Sequence, residues 1–388
     1  MNAPVSGKIM MIAGEASGDM HGASLMAALK KKQPGLVFFG IGGDRMISEG
    51  LESVYHIRQM AFLGFFEVIR HFPFIRRVFK AMHRTLDDRR PDLVILIDYP
   101  GFNLKFAGQA KKKGFRVVYY ISPQIWAWGG GRIKKIRENV DCMLVIFPFE
   151  EILYRKAGVP AAFVGHPLKD SFDPGISRQD FLNRHGISPK TRILGLFPGS
   201  RNQEVERLLP VMVKAYERLR SEMPDLAAMV GQADTLQDSL YSGMLRGHDG
   251  IIRLRNQTHA LMKYCDAALV ASGTATLETA VAGTPMAVLY KMAPLSFWIG
   301  RLLVRIPDIG LVNIVAGRRI VPELVQGDAS PARIAEAVKP FLTDEAYNRM
   351  TRRELLRVNQ KLGGRGASGH AAARILEFLG EGKSGSGG

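Results

Sequence analysis

Cysteine is nearly absent: Cys142 and Cys265 are the only two among 388 residues. Each lies in an apolar, strand-like run, DCMLVIF and YCDAALVA. Such settings suit buried thiols in a reducing compartment better than a disulfide, and two thiols cannot build a zinc site alone. Long hydrophobic runs are missing too. Stretches such as LVILI, Leu93–Ile97, stop far short of the roughly 18 to 20 apolar residues that cross a bilayer. The opening MNAPVSGKIMMIAGEASGD has neither a charged start before a long apolar stretch nor a small-residue cleavage site, so the expected compartment is the cytosol. Neither GxGxxG nor a P-loop lysine follows the first apolar run, which counts against dinucleotide binding and ATP hydrolysis. No DxD-type acidic pair stands in a suitable loop to hold a divalent metal. Internal repeats of short period are absent, and 381–388 reads as a disordered tail.

Positive charge is abundant. Lysine and arginine outnumber aspartate and glutamate by 53 to 36, a formal charge of +17, and the excess is spread along the chain. Such a field calls for an anionic partner: nucleic acid, anionic lipid headgroups or a phosphorylated substrate. One stretch combines charge with grease. AFLGFFEVIRHFPFIRRVFK, Ala61 to Lys80, carries six of the twenty phenylalanines together with Arg70, Arg76, Arg77 and Lys80. Phe62, Phe65, Phe66 and Ile69 fall at helical spacing on one face, and Pro73 is expected to end or kink that helix.

Short apolar runs alternate with helix-like stretches: KIMMIA, LVFFG, DLVILID, FRVVYYI and CMLVIF, and then, after the Gly/Pro-rich VGHPLKDSFDPGIS, RILGLFPG, AAMVG, IIRLR, DAALVA and PMAVLY. The alternation predicts an α/β protein of two doubly wound, Rossmann-like domains with a ligand in the cleft between them and helices at the C-terminus. The expected boundaries are 1–165 for the first domain, 166–190 for a linker, 191–345 for the second domain and 346–380 for helices that pack across the cleft or onto a second subunit.

Four motifs sit where such sheets bind ligands. GEASGD, Gly14 to Asp19, follows the first strand and opens a helix; it reads either as a tight turn capped by Ser17 or Asp19 or as a site that uses Glu15. Asp98 stands at the end of LVIL before a Pro-Gly turn, placed to act as a general base on a hydroxyl. Its alternative role is to cap the next helix, as Asn103 could. In the second half, Gly199, Ser200 and Arg201 join strand to helix in a form suited to phosphate. Ser272, Gly273 and Thr274 repeat that arrangement, with Glu278 four residues on, able to accept from a vicinal diol such as a ribose.

Taken together, GEASGD, IDYPGFN, ISPQIWAW, GHPL, PGSR, SGTATLE and NIVAGR resemble the lipid-A-disaccharide synthase family, in order, from about residue 8 to about residue 375. The resemblance implies the GT-B glycosyltransferase fold and metal-independent, inverting transfer of a diacylated glucosamine from UDP-2,3-diacylglucosamine to the 6-hydroxyl of 2,3-diacylglucosamine 1-phosphate. No cofactor is implied, UDP being a substrate moiety and product. By the same resemblance Asp98 is the base, with Glu15 assisting or shaping the acceptor pocket beside Gly14, Ser17 and Asn103. Arg201 takes the diphosphate with Ser200, Ser272, Gly273, Thr274 and Thr276; Glu278 holds the ribose; Asn313 lies near the donor. His166 reads as an interdomain structural residue. Acylated substrates give the aromatic patch a purpose. Phe62, Phe65, Phe66, Ile69, Arg70 and Phe72 would meet acyl chains, with Phe297 and Trp298 as a second wall, docking the protein on the cytoplasmic face of the anionic inner membrane. Phe74 to Phe79 are read as core instead. Two rivals remain: a basic RNA-binding protein, for which no RNA-binding motif appears, and a UDP-N-acetylglucosamine 2-epimerase-like enzyme of the same fold, whose soluble substrate would leave the Phe-rich patch without a reason.

Overall fold

A computed structural model describes residues 7–60, 72–126, 131–248, 250–292 and 308–384. They fall into two compact units, one running to Asp170 and resuming at Leu362, the other spanning Ser171–Lys361. Phe62, Phe65, Phe66, Ile69 and Arg70, like Phe297 and Trp298, lie outside the described residues, as does the side chain of Phe72.

The first unit is built on seven parallel strands in the order β3-β2-β1-β4-β5-β6-β7. They are β1 Gly7–Ala13, β2 Leu36–Gly42, β3 Leu51–His56, β4 Leu93–Ile97, β5 Val117–Tyr120, β6 Cys142–Val145 and β7 Ala161–Phe163. Central strands of a parallel sheet are covered on both faces, and β4 is accordingly LVILI with every residue fully buried. Alternate residues of β1 serve opposite cores: Met10 and Ile12 face one, Ile9, Met11 and Ala13 the other. Because β2 lies to one side of β1 and β4 to the other, the sheet has its topological switch point between the ends of β1 and β4. The helix that Pro73 was expected to end or kink lies outside the described residues. Pro73 falls within Phe72–Arg89, and Phe74, Ile75 and Phe79 lean on the core as expected of them.

The second unit repeats the plan with six parallel strands, β10-β9-β8-β11-β12-β13. They are β8 Ile193–Phe197, β9 Ala227–Gly231, β10 Ile251–Leu254, β11 Ala267–Ala271, β12 Met286–Tyr290 and β13 Glu323–Val325. Its switch point lies between β8 and β11. The two C-terminal helices part company. Glu345–Lys361 stays with the second unit, whereas Ala367–Ser384 returns to the first, where it packs on Ala16–Lys32 through Ala371, Ala372, Ile375 and Leu379. That last helix runs through Ser384, into the stretch read as a tail. Among the described residues no helix is long and apolar enough to cross a membrane.

Candidate active site

At the switch point of the first unit the chain leaves β1 through Gly14, where any side chain would collide with the Tyr99 ring: a Cβ would sit 2.2 Å from it. Glu15 then takes the N-cap position in extended conformation with no capping bond of its own, and its exposed carboxylate accepts from Ser17 Oγ at 2.7 Å. Neither Ser17 nor Asp19 caps this helix. Asp19 is buried and turns the other way, accepting from the backbone N–H of Gly43 at 2.7 Å, Arg45 at 3.1 Å and Met46 at 3.0 Å, which anchors the next helix, Asp44–Ser48.

Across from Gly14, β4 ends in two consecutive left-handed residues, Asp98 (φ 45°) and Tyr99 (φ 48°). For non-glycine residues this costs on the order of 1 kcal/mol or more apiece and persists only where the surroundings enforce it. They do so here. The Asp98 N–H donates to Tyr120 O at 3.1 Å, and its carbonyl accepts from Asn103 Nδ2 at 2.8 Å and from the Tyr119 hydroxyl. Asn103 is wholly buried and does not cap a helix; its amide also reaches Ile97 O at 3.1 Å and Ile12 O at 3.4 Å, tying the ends of β4 and β1 together. The strained turn aims the Asp98 carboxyl beside Glu15. Burial, then the Glu15 charge, pushes its pKa up from 3.8 to about 6, despite a lowering bond from the Tyr99 N–H. A carboxylate so tuned is ionised at neutral pH and basic enough to take a proton.

Sequence reasoning passed over a second buried carboxyl nearby. Glu150 is 1% exposed, and three donors converge on it: Ser122 Oγ at 2.6 Å, Trp126 Nε1 at 3.1 Å and the Phe147 N–H at 3.2 Å. Burial pushes its pKa to about 7 against those bonds. It therefore ties down residues 121–126, the segment leaving β5 next to Asp98. As the third residue of a helix opened by Pro148, Glu150 looks in sequence like a solvent-facing cap; the Ser and first Trp of ISPQIWAW, one buried and one partly buried, were the available signal. His166, expected between domains, has its contacts inside the first unit: Nδ1 accepts from the Leu168 N–H at 3.2 Å, and its ring lies 5.1 Å from that of Phe147. Burial first, and His21 second, lowers its pKa to about 4; burial does the same to His21.

In the second unit a cavity of about 370 Å³ opens at the switch point, lined by Ser200, Arg201, Ser272, Gly273, Thr274 and Glu278 among others. Gly199 adopts φ 115°, a conformation that side chains rarely reach, and this lets the chain turn from β8 into Asn202–Glu222 with the Ser200 and Arg201 end open. Arg201 is 80% exposed and ion-paired at 3.0 Å with Glu204. Ser272 follows β11, its hydroxyl donating to Ile309 O at 2.9 Å. Glu278 faces His259 at 3.9 Å, and it holds that imidazole above its usual range; the His259 ring lies 4.6 Å from that of Phe172, tilted 33° to it.

Two expected donor residues do not line the cavity. Thr276 is fully buried, its hydroxyl donating to Gly273 O at 2.8 Å, because a threonine one turn into a helix satisfies itself on the backbone. Asn313 is likewise buried with its amide saturated. Nδ2 donates to Val321 O at 3.0 Å and Glu323 Oε1 at 2.8 Å, and Oδ1 accepts from the N–H groups of Ile320 and Val321. Glu323 in turn accepts from the N–H groups of Ile309 and Gly310, and Ile309 holds Ser272. Asn313 thus acts on the cavity through two intermediaries.

Paired units with parallel sheets of this strand order define the GT-B fold. The calicheamicin glycosyltransferase CalG4 superposes with a TM-score of 0.63 at 15% identity, covering 97% of this chain and 99% of that one. MnaA of S. aureus, in its co-structure with UDP, gives 0.64 at 14% identity, covering 95% of each. The chain belongs to the lipid-A-disaccharide synthetase family, whose profile matches residues 9–375. It is 44% identical over 382 residues to lipid-A-disaccharide synthase of Geobacter sulfurreducens, covering 98% of this chain and 100% of that protein. Neither the RNA-binding nor the epimerase reading is favoured beside that match.

Proposed function

We propose that the protein transfers 2,3-diacylglucosamine from UDP-2,3-diacylglucosamine to the 6-hydroxyl of 2,3-diacylglucosamine 1-phosphate, giving the β-1,6-linked disaccharide 1-phosphate and UDP. Asp98 takes the hydroxyl proton as the oxygen attacks the anomeric carbon, while the bond to the UDP oxygen breaks on the opposite face. One in-line displacement inverts the centre. The leaving diphosphate is stabilised by Arg201 and by the N–H and hydroxyl groups of Ser200, Ser272, Gly273 and Thr274, without a metal ion. Glu278 accepts from the ribose hydroxyls. The observation that carries this reading is the Asp98 carboxyl, held on a strained turn at the switch point with its pKa near 6.

Incubation with both acylated substrates should yield disaccharide and UDP by mass spectrometry, undiminished by EDTA. Turnover of unacylated UDP-N-acetylglucosamine alone, with no disaccharide formed, would overturn it. The acyl chains and the +17 charge support docking on an anionic inner-membrane surface through residues 62–72. Serine in place of Phe65, Phe66 and Ile69 should shift the protein out of sedimented anionic liposomes; unchanged sedimentation would count against that surface.

A further inference from the structure

The cradle read as the diphosphate site is filled by one of the protein's own carboxylates. Glu204, in the first turn of Asn202–Glu222, folds back over the glycine turn. Its Oε2 accepts from the Ser200 N–H at 3.1 Å, and its Oε1 accepts from Arg201 Nη1 at 3.0 Å. A Cβ at Gly199 would meet Oε2 at 2.4 Å, so the carboxylate lies on the bare backbone that a phosphate would approach. One oxygen on a backbone amide and the other on a guanidinium is also the contact set expected for a phosphate oxygen pair. Glu204 lines the same cavity as Glu278, and the Tyr290 hydroxyl feels both members of the pair, raised by burial and Glu204 and lowered by Arg201.

We propose that Glu204 is an internal stand-in for the nucleotide's phosphate: it holds Arg201 and the Ser200 amide while the site is empty, yields them when the diphosphate binds, and reclaims them to help UDP leave. The inference rests on the reading of Ser200 and Arg201 as the diphosphate site. The exchange is feasible because the contact is weak. Arg201 is mostly in water, and exposed ion pairs of this kind hold by little. A displaced carboxylate nevertheless remains within a few ångströms of a multiply charged anion and repels it. Loss of that charge should therefore tighten nucleotide binding, the reverse of what removal of a binding residue does.

The test is calorimetric titration of UDP and of uridine into the full chain, its Glu204→Gln and Arg201→Ala variants and the double variant. Glutamine keeps the length of the side chain and an oxygen for the Ser200 N–H. Glu204→Gln should bind UDP about three- to tenfold more tightly, leave uridine affinity unchanged, and show a smaller gain when Arg201 is already alanine. If Glu204→Gln binds UDP no better, or more weakly, the carboxylate is a support for Arg201 and the proposal is overturned. An equal gain for uridine would overturn it too, since uridine has no phosphate to compete with. Unchanged UDP affinity in Arg201→Ala would instead overturn the underlying site assignment.

Discussion

The pKa of Asp98 is set by three influences that do different things. Burial raises its pKa most, the Glu15 charge raises it further, and the Tyr99 N–H draws it part of the way back. The sign of each effect is testable, because a base is lost as pH falls through its own pKa. The acid limb of kcat/KM should therefore bend near pH 6, and Glu15→Gln should move that bend to lower pH by removing the charge that disfavours ionisation. A bend that stays in place in a pH–rate series of Glu15→Gln would mean that the limb reports another group. The positions of Asp98, Arg201 and Glu278 were legible in sequence because each follows an unmistakable apolar strand at the edge where such sheets bind ligands. Glu150 and Glu204 were not. Both occupy the first turn of a helix, where an acidic residue is ordinary, and only the fold shows that one is buried against Trp126 and the other is laid across a glycine turn.

Among elements, the interior strands announced themselves and most edges did not. Every run read as a strand from its apolar residues forms one, yet β3, β7 and β13 were missed, and all three lie at the ends of their sheets. An edge strand is covered less and can be short: β7 is AAF and β13 is ELV, while five of the six residues of β3 are at least partly exposed. The segment after β5 shows what elements owe to single buried groups. Ser122, Trp126 and the start of Pro148–Lys156 all converge on Glu150. Glu150→Ala should leave two buried donors without partners and cost about 1–3 kcal/mol in a denaturant titration. A loss under half a kilocalorie would mean that these residues hold their positions without it.

On the scale of the whole molecule, four buried titratable groups contribute to how stability responds to acid, and they oppose one another. His21 and His166, with pKa values lowered from 6.5 to about 4, stay neutral in the folded state, so unfolding takes up protons below about 6.5 and stability falls as pH drops. Asp98 and Glu150, raised to about 6 and about 7, hold protons in the folded state that the unfolded chain releases, so their contribution grows as pH drops from their folded values toward their ordinary ones. Between pH 6 and 5 the pairs nearly cancel. Glu150→Gln removes one of the two acids and should make stability fall on the order of 1 kcal/mol per pH unit more steeply than in the wild type across that window, in the same chemical denaturation series. Parallel profiles for the two proteins would show that Glu150 does not carry a proton there.

The two units also divide the chemistry proposed for the molecule, with the base in the first and the nucleotide site in the second. That division is tested most directly by Asp98→Asn, with turnover and UDP affinity measured on the same preparation. Transfer should fall by about a hundred- to ten-thousandfold, the usual share of a general base, while calorimetry finds UDP bound as tightly as by the unaltered protein. Turnover within a few fold of normal would contradict the assignment of Asp98 as the base.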